Sequence, residues 1–408
     1  MTKRAIKATI RPETDAVLPT PALPAFFMGE KQRESTLNYQ IITTTAQLQQ
    51  VCEQARSAST VALDTEFVRT RTYYAQLGLI QLFDGTQVSL IDPLAIEDMS
   101  ALKALLQDEQ VLKFLHAGSE DLDVFQHAFG VMPTPFIDTQ IVAAFLGHPL
   151  SCGFANMVET YSGIALDKSE SRTDWLARPL SEKQLAYAAA DVWYLLPLAR
   201  RLMDDISSSG WLAAAQDECA LMARRRAEVV SPREAWRDIG NAWQLRTRQL
   251  GCLRLLAAWR LEEARRRDLA VNFVVREEHL WQVARYMPGS LGELDSLGLS
   301  GSEIRFHGKM LITLVEQAQE LPESALPEPL INLIDIPGYR SIFKSIKQVV
   351  QETAAENKLG PELIASRRQI NQLLNWHWGL KAAYPELLSG WRGELLGEKL
   401  RAVLSALQ

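Results

Sequence analysis

The sequence predicts a mixed α/β domain, in which helices flank one sheet, followed by a region built from helices alone. Three observations lead to this fold class. Short β-branched segments cluster between residues 39 and 117, strand and helix patterns alternate there, and helical periodicity dominates from residue 138 to the end. Strands that come first and then alternate with helices are typical of an α/β or α+β sheet domain, here over residues 37–230.

Five strands and three helices are predicted in chain order within this domain. The strands are expected at 39–43, 60–67, 77–83, 88–92 and 111–117, and Asp84-Gly85 is the turn between the third and the fourth. Apolar residues at helical spacing predict helices over 44–57 and 99–107, and Ser119 is the expected N-cap of a third.

The remaining pattern is helical and is divided by prolines. Pro232 marks a boundary after the sheet domain, and three prolines interrupt the helical periodicity within 321–329. A chain of 408 residues is too long for one ordinary core. We therefore expect two small helical domains after the sheet domain.

The first 36 residues predict a flexible leader, because prolines 12, 19, 21 and 24 break up its basic and apolar residues. A signal peptide needs an uninterrupted apolar stretch, which this segment lacks. The chain has no run of eighteen apolar residues, so no membrane partner is expected. Four widely spaced cysteines without a CxxC pair argue against a zinc site or a disulfide scaffold and favour reduced thiols in a cytoplasmic protein.

Charge is distributed unevenly along the chain. Residues 37–210 carry 21 acidic and 11 basic side chains, whereas the rest carries 28 acidic and 32 basic ones. A net charge of −6 is unusual for a protein that contacts phosphate groups directly. A segment that gathers carboxylates can instead hold divalent cations, which then face the phosphate, although many acidic domains bind nothing.

Two carboxylates share one face of the second predicted strand. Asp64 and Glu66 stand at i and i+2 in ALDTEF, and such residues point to the same side of a strand. Like charges this close repel unless a cation lies between them. The D-x-E pattern alone is weak, since two solvated carboxylates on an edge strand give the same spacing.

Two further elements supply acidic residues. In HAGSEDLDVF (116–125) a strand leads into a helix, and Asp121 falls in the first turn of that helix, near the edge of the sheet where sites gather. Acidic residues are also favoured there by the helix dipole alone. In YAAADVWYL, Tyr187 and Asp191 lie at i and i+4, on one face of an alanine-rich helix. A buried Asp191 needs a metal or a donor as its partner.

In combination these elements resemble the tyrosine branch of the DEDD exonuclease superfamily, and more closely the ribonuclease D family. The resemblance extends from about residue 38 onward and is carried by LDTEFVRTRTYYAQLGLIQLFDG (63–85), FLHAGSEDLDVF (114–125), IDTQIVAAFLG (137–147), LDKSESRTDWLARPLS (166–181) and YAAADVWYLLPL (187–198). It implies a ribonuclease H-like exonuclease domain over 37–230. It also implies two HRDC domains, helical modules that assist nucleic-acid binding, at about 236–320 and 325–402.

The resemblance implies two-metal catalysis with Asp64, Glu66, Asp121 and Asp191 as ligands. Two Mg²⁺ or Mn²⁺ ions roughly 3.5–4 Å apart activate a water and stabilise the leaving oxygen in such sites. Tyr187 matches the residue that orients the attacking water in the family. Because the pKa of a tyrosine is ordinarily near 10, positioning is expected of it rather than proton removal.

Four other residues are weaker candidates for substrate contacts. Lys168, Arg172 and Trp175 belong to a polar and aromatic cluster before the Tyr187 helix; Arg172 is expected to contact phosphate and Trp175 to pack or stack. His116 precedes the Asp121 helix, and a structural histidine fits there at least as well. Gln81, on the strand beside the active one, is expected to pair within the sheet.

The sequence therefore predicts a monomeric 3′→5′ exoribonuclease that trims structured RNAs with short single-stranded 3′ tails. By resemblance, transfer RNA precursors are the expected substrates and nucleoside 5′-monophosphates the products. A DNA exonuclease is an alternative, because the superfamily also includes proofreading enzymes, and recognition of the 2′-hydroxyl separates the two. A catalytically silent RNA-binding module is the alternative outside this class, and loss of an acidic ligand would favour it; all four are present.

Overall fold

A six-stranded mixed sheet forms the centre of the structure, a computed structural model that describes residues 37–406. The predicted leader, residues 1–36, lies outside the described residues. In space the strands follow the order β1-β4-β3-β2-β5-β6. They span Tyr39–Ile42 (β1), Thr60–Val68 (β2), Gln76–Phe83 (β3), Val88–Ile91 (β4), Leu112–Leu115 (β5) and Phe136–Asp138 (β6).

Strand β2 lies inside the sheet and pairs antiparallel with β3 and parallel with β5. Its side chains alternate between the two faces: Val61 and Leu63 enter one core, and Ala62 enters the other. Seven helices surround the sheet: Thr45–Arg56 (α1), Ser100–Leu106 (α2), Ser119–Phe129 (α3), Thr139–Phe145 (α4), Phe154–Ser162 (α5), Glu182–Ser207 (α6) and Leu212–Ala227 (α7). Helix α6 packs on the face of the sheet that Ala62 enters. Residues of β2 at intervals of two from Ala62 therefore point toward α6.

The predicted strands and helices are present, with two differences. Ser119 is the first residue of α3, and Gly118 occupies the N-cap position. Ser119 therefore does not cap the helix, and its hydroxyl accepts a hydrogen bond from Arg226 Nε at 2.8 Å. Strand β6 was not predicted, because three residues are too few to show a period of two.

Nine further α-helices and five 3₁₀ turns follow among the described residues. The helices are Thr247–Arg267 (α8), Val271–Val274 (α9), Glu277–Tyr286 (α10), Leu291–Ser296 (α11), Gly301–Glu320 (α12), Tyr339–Asn357 (α13), Pro361–Ile364 (α14), Arg367–His377 (α15) and Gly390–Ser405 (α16). The turns are Pro232–Asp238, Ala242–Gln244, Glu323–Ala325, Leu333–Asp335 and Glu386–Leu388. A mixed sheet domain followed by a helical region is the predicted fold class, which is confirmed.

The two helical segments relate differently to the sheet domain. Helices α8–α12, within what we call the first helical module (residues 236–320), surround a core of their own. Helices α13–α16, within the second helical module (residues 325–402), share one continuous core with α6 and one face of the sheet. Trp391 of α16 lies at the junction, with its ring centroid 5.1 Å from that of Phe145 and 6.3 Å from that of Trp211.

A buried ion pair joins the second helical module to α7. The Arg392 guanidinium bonds to both carboxylate oxygens of Glu218, and Nη2 lies 3.1 Å from Oε2. Trp391 Nε1 donates to Glu218 at 2.9 Å. Arg392 also donates to the carbonyls of Ile364 and Leu363. Because both charged groups are largely removed from water, this contact fixes the orientation of the module on the sheet domain.

The first helical module meets the sheet domain at the loop between β2 and β3. Tyr73 of this loop packs against the module's core. The Tyr74 backbone N–H donates to Asp268 Oδ1 at 2.9 Å, and the Ala270 N–H donates to the Arg71 carbonyl at 2.8 Å. The loop that leaves the D-x-E strand is thus attached directly to the first helical module.

No helix within residues 37–406 combines the length and apolarity that a bilayer-spanning segment requires. Each of the four cysteines is a free thiol. Burial raises the pKa of the Cys52, Cys219 and Cys252 thiols to about 12. These three groups are therefore neutral packing residues at physiological pH.

Candidate active site

Asp64 and Glu66 lie together on the face of β2 that α6 covers. They follow Ala62 at intervals of two residues, so their side chains enter the same space beneath the helix. Helix α6 starts with a capping box, in which Ser181 and Gln184 each satisfy a backbone N–H of the other. This fixed start places Asp191 over the strand. One ligand oxygen each of Asp64, Glu66 and Asp191 lies within 4.8 Å of the others.

Asp121 reaches the site from the start of α3 and is 7% exposed. The Thr65 hydroxyl, on the opposite face of β2 from Asp64, donates a hydrogen bond to Asp121 Oδ1. The turn from β5 into α3 is held by Asp138, whose carboxylate accepts from the backbone N–H groups of Ala117 at 3.1 Å and Gly118 at 2.8 Å. Asp121 is thus positioned from two sides.

Burial raises the pKa of every carboxyl in this cluster, and repulsion by the neighbouring carboxylates adds to it at Asp64 and Glu66. Burial, followed by the charges of Asp121, Asp191 and Glu66, holds the pKa of Asp64 well above its usual range. Burial and the charges of Asp191 and Asp121 raise the pKa of Glu66 to about 9. Burial raises the pKa of Asp191 to about 7 and that of Asp121 to about 6. Without a counter-charge these four carboxyls cannot all ionise at once. They therefore form a donor set that suits a hard divalent cation.

Tyr187 lies one helical turn before Asp191 and hydrogen-bonds to its carboxylate. Burial, then the charges of Asp191, Glu66 and Asp64, raise the pKa of the Tyr187 hydroxyl above its ordinary value. The hydroxyl therefore stays protonated throughout the physiological range. It can donate to Asp191 while its oxygen accepts another hydrogen bond, and it is not a base.

Gln81 is part of this site, although the sequence suggested only a role within the sheet. It stands opposite Asp64 in the β2–β3 register, so the two side chains share a face. Gln81 is fully buried, and neither atom of its amide has a hydrogen-bond partner among residues 37–406. One signal in the sequence is visible in retrospect: Gln81 is the polar residue inside the apolar run LGLIQLF.

Replacing Gln81 by methionine is expected to leave the stability of the metal-free protein unchanged or to raise it by about 1 kcal/mol. Methionine has nearly the same shape and removes a buried amide that has lost its water without gaining a partner. Chemical denaturation in the presence of a chelator measures the effect. A drop of several kcal/mol would show that the amide has a partner in the apo protein.

The structure separates the four weaker candidates into two pairs. Lys168 and Arg172 are exposed on the loop before α6, where phosphate can reach them, and their substrate contacts stay predictions. Trp175 is 1% exposed and packs against Tyr187, with ring centroids 6.1 Å apart. His116 is half-buried, and both of its ring nitrogens bond within the protein, to Thr139 Oγ1 at 2.9 Å and the Cys152 carbonyl at 3.1 Å.

Of the alternatives that the sequence left open, the structure favours packing for Trp175 and a structural role for His116. A base cannot stack on an indole that neighbouring residues already cover, and the His116 nitrogens are occupied. The Trp175 segment is fastened by Arg178, which bonds to both carboxylate oxygens of Asp92 at 2.7 and 2.8 Å and to the Gly78 carbonyl at 2.6 Å. Trp175 thus packs against the Tyr187 ring and stabilises its position.

Comparison with known proteins identifies families for three segments of the described chain. A 3′-5′ exonuclease family model matches residues 39–207, an HRDC domain model matches 249–315, and a model of the ribonuclease D C-terminal HRDC domain matches 337–400.

Ribonuclease D proteins are similar over nearly their full length. The chain is 69% identical to ribonuclease D of Cronobacter turicensis (89% of this chain, 99% of the relative) and 68% identical to that of Escherichia coli (90% and 99%). The crystal structure of Escherichia coli RNase D, described as an exoribonuclease involved in structured RNA processing, superposes with a TM-score of 0.89 at 68% identity, covering 90% of this chain and 99% of the other. The chain belongs to the ribonuclease D family of 3′→5′ exoribonucleases, whose DEDD-type catalytic domain implies dependence on divalent metal ions.

Proposed function

We propose that this enzyme removes nucleotides one at a time from the 3′ ends of structured RNAs that carry a short single-stranded tail, and that it thereby matures the 3′ ends of transfer RNA precursors. The observation that carries the proposal is the partly buried cluster of Asp64, Glu66 and Asp191, beside which the charge of Asp121 raises the pKa of Asp64 further. The description of the Escherichia coli relative as a processor of structured RNA supports the substrate class.

The four carboxylates fit two divalent cations, Mg²⁺ or Mn²⁺. Asp64, Glu66 and Asp191 already bring one oxygen each within 4.8 Å, and Asp121 is kept in place by Thr65. Such ions lower the pKa of a bound water and neutralise the charge on the leaving 3′ oxygen. The contribution of the chain is to present preformed oxygen ligands whose mutual repulsion a cation relieves.

Tyr187 is the positioning group for the attacking water in this proposal. Its hydroxyl proton is committed to Asp191, so the lone pairs on its oxygen can accept a hydrogen bond from water. The water then attacks phosphorus and the 3′ oxygen of the preceding nucleotide leaves, which releases a nucleoside 5′-monophosphate. Lys168 and Arg172, exposed on the loop before α6, are proposed to contact the phosphates of the strand.

Selection of single-stranded ends follows from the enclosure of the site. The carboxylates lie between β2 and α6, and a paired end cannot enter without fraying. We also propose that the enzyme acts as a monomer and is located in the cytoplasm. The four free thiols favour the cytoplasmic location.

A 5′-labelled RNA hairpin with a single-stranded 3′ tail tests the function. A ladder that shortens from the 3′ end in the presence of Mg²⁺, and that disappears with a chelator, is the expected result. A DNA hairpin of the same sequence measures the preference for the 2′-hydroxyl, and equal cutting of both would favour the DNA exonuclease alternative. RNA that is bound but never shortened would overturn the proposal in favour of a binding module.

In the metal-free protein, the free energy of unfolding is expected to fall as the pH rises from about 5 to 9. The folded-state pKa values of Asp121, Asp191 and Glu66 are raised to about 6, 7 and 9, so the folded protein holds protons that the unfolded chain releases near pH 4. The unfolded state binds fewer protons across this window, and the stability falls with pH. Thermal unfolding scans in a chelator measure the slope.

Saturating Mg²⁺ is expected to remove most of this slope, because the cation takes the place of the protons and binds only the folded state. At pH 8 the melting temperature should rise by about 2 °C or more when Mg²⁺ replaces the chelator, which corresponds to roughly 1–2 kcal/mol for a chain of this length. A metal-free protein whose stability increases between pH 5 and 9 would show that these carboxyls are not buried together.

A further inference from the structure

The loop between β2 and β3 continues from the catalytic strand to the first helical module. Arg69, Thr70 and Arg71 are exposed on it, three to five residues beyond Glu66. Five residues of extended chain reach at most about 18 Å. The loop therefore lies within a few nucleotides of the carboxylates, at the end of β2 where Glu66 lies.

An arginine from this loop lies over an exposed aromatic ring of the first helical module. The Arg71 guanidinium carbon is 5.9 Å from the centroid of the Phe273 ring. Phe273 is 55% exposed. Within residues 37–406 the Arg71 guanidinium has no hydrogen bond or ion pair with another side chain. The backbone carbonyl of Arg71, in contrast, accepts a hydrogen bond from the Ala270 N–H at 2.8 Å. The backbone is thus fixed, and the charged group is free to bind.

Arginines are concentrated around this pair. Residues 69–75 and 264–273 form the two sides of what we call the seam, and they contain five arginines and one acidic residue, Asp268. Glu263, just before the second segment, pairs with Arg266 and Arg267. The Asp268 carboxylate accepts a hydrogen bond from the Tyr74 backbone. An exposed aromatic ring beside a guanidinium without an acidic partner, here Arg71, is the combination that binds single-stranded nucleic acid, because bases stack on the ring and phosphates pair with the arginine.

We propose that Arg71 and Phe273 together form a binding site for the single-stranded RNA just upstream of the nucleotide being removed, with one side chain from the catalytic domain and one from the first helical module. The inference rests on the proposed function. A base stacks on Phe273, and Arg71 contacts the adjoining phosphate. The site is complete only when the first helical module is docked on the sheet domain. The affinity for the single-stranded tail therefore depends on the position of the module.

The same module offers a matched control. Phe306 on α12 is 66% exposed, and the Arg305 guanidinium carbon lies 4.7 Å from its ring centroid. The chemistry of this pair equals that of Arg71 and Phe273, but Arg305 and Phe306 are neighbours on one helix and do not join the module to the catalytic strand. If exposed aromatic groups act non-specifically, the two pairs will contribute alike.

The test compares Phe273→Ala, Arg71→Ala and Phe306→Ala with the unaltered enzyme on two substrates in Mg²⁺. One substrate is a dinucleotide, which fills the cleavage site alone; the other is a hairpin whose single-stranded 3′ tail extends past the seam. Phe273→Ala and Arg71→Ala are expected to lower kcat/KM on the tailed hairpin about tenfold, mainly through KM, since the first loses a base stack and the second a phosphate contact. Dinucleotide hydrolysis should stay unchanged, and Phe306→Ala should behave like the unaltered enzyme on both substrates.

A conservative variant distinguishes stacking from folding. Phe273→Trp keeps an aromatic face and is expected to retain the low KM. Equal kcat/KM for Phe273→Ala and the unaltered enzyme on the tailed hairpin would overturn the inference, as would an equal loss on the dinucleotide or an equal effect of Phe306→Ala. An unaltered enzyme that shortens neither substrate would instead overturn the proposed function itself.

Discussion

Replacing Asp191 by asparagine is expected to lower kcat for 3′-end cleavage by on the order of a thousandfold or more, about 4 kcal/mol of lost transition-state stabilisation. Asparagine keeps the shape but presents a neutral amide where the proposed metal site uses a third anionic oxygen beside those of Asp64 and Glu66. It also alters the group that orders the Tyr187 hydroxyl. Single-turnover cleavage of a 5′-labelled hairpin separates this loss from slow product release.

The same substitution is expected to raise the melting temperature of the metal-free protein at pH 8. Burial holds the pKa of Asp191 at about 7, so its ionisation at pH 8 opposes folding. Asp204→Asn is the matched control, since Asp204 is exposed on the same helix and should change neither property. A variant that is both less stable and inactive would indicate a structural role for Asp191, and full activity would place the ligands elsewhere.

Replacing Glu218 by alanine is expected to lower the free energy of unfolding by about 3–5 kcal/mol. The substitution leaves the Arg392 guanidinium buried without its counter-charge and the Trp391 N–H without an acceptor. It also weakens the contact that orients the second helical module. Urea denaturation followed by circular dichroism measures the change as a shift of the midpoint.

Asp217→Ala is the control for this variant, because Asp217 is the exposed neighbour of Glu218 on the same helix. Its midpoint should stay within about 0.5 kcal/mol of the unaltered protein. The Glu218→Ala,Arg392→Met double variant should recover part of the loss, since it removes the unpaired charge as well. A loss below 1 kcal/mol for Glu218→Ala would mean that water reaches Arg392 and screens it.

Periodicity predicted most of the catalytic strand and helix. The period of two in β2 places Asp64 and Glu66 on one face, and the i, i+4 spacing places Tyr187 beside Asp191 on α6. These are local relations, which a sequence shows directly. The fold class and the family follow from the order of such local signals, and both are confirmed.

Relations across elements could not be predicted in the same way. The position of Gln81 beside Asp64 depends on the β2–β3 register, which shifts between Glu66 and Phe67. The burial of Trp175 depends on Arg178 reaching Asp92 from a distant part of the chain. The apolar face of α16 predicts that this face is buried but does not indicate which surface covers it. The core that the second helical module shares with the sheet domain could therefore not be predicted.

That shared core has a consequence for the order of folding during synthesis. The chain builds most of one core by residue 219, leaves it to complete a separate core in the first helical module, and returns to the first between residues 339 and 404. On the ribosome, the catalytic sheet therefore has an unfinished apolar surface while the intervening module is already able to close. Nascent chains stalled after residue 320 should bind chaperones through the sheet domain, and release of the last helix, α16, should end that binding.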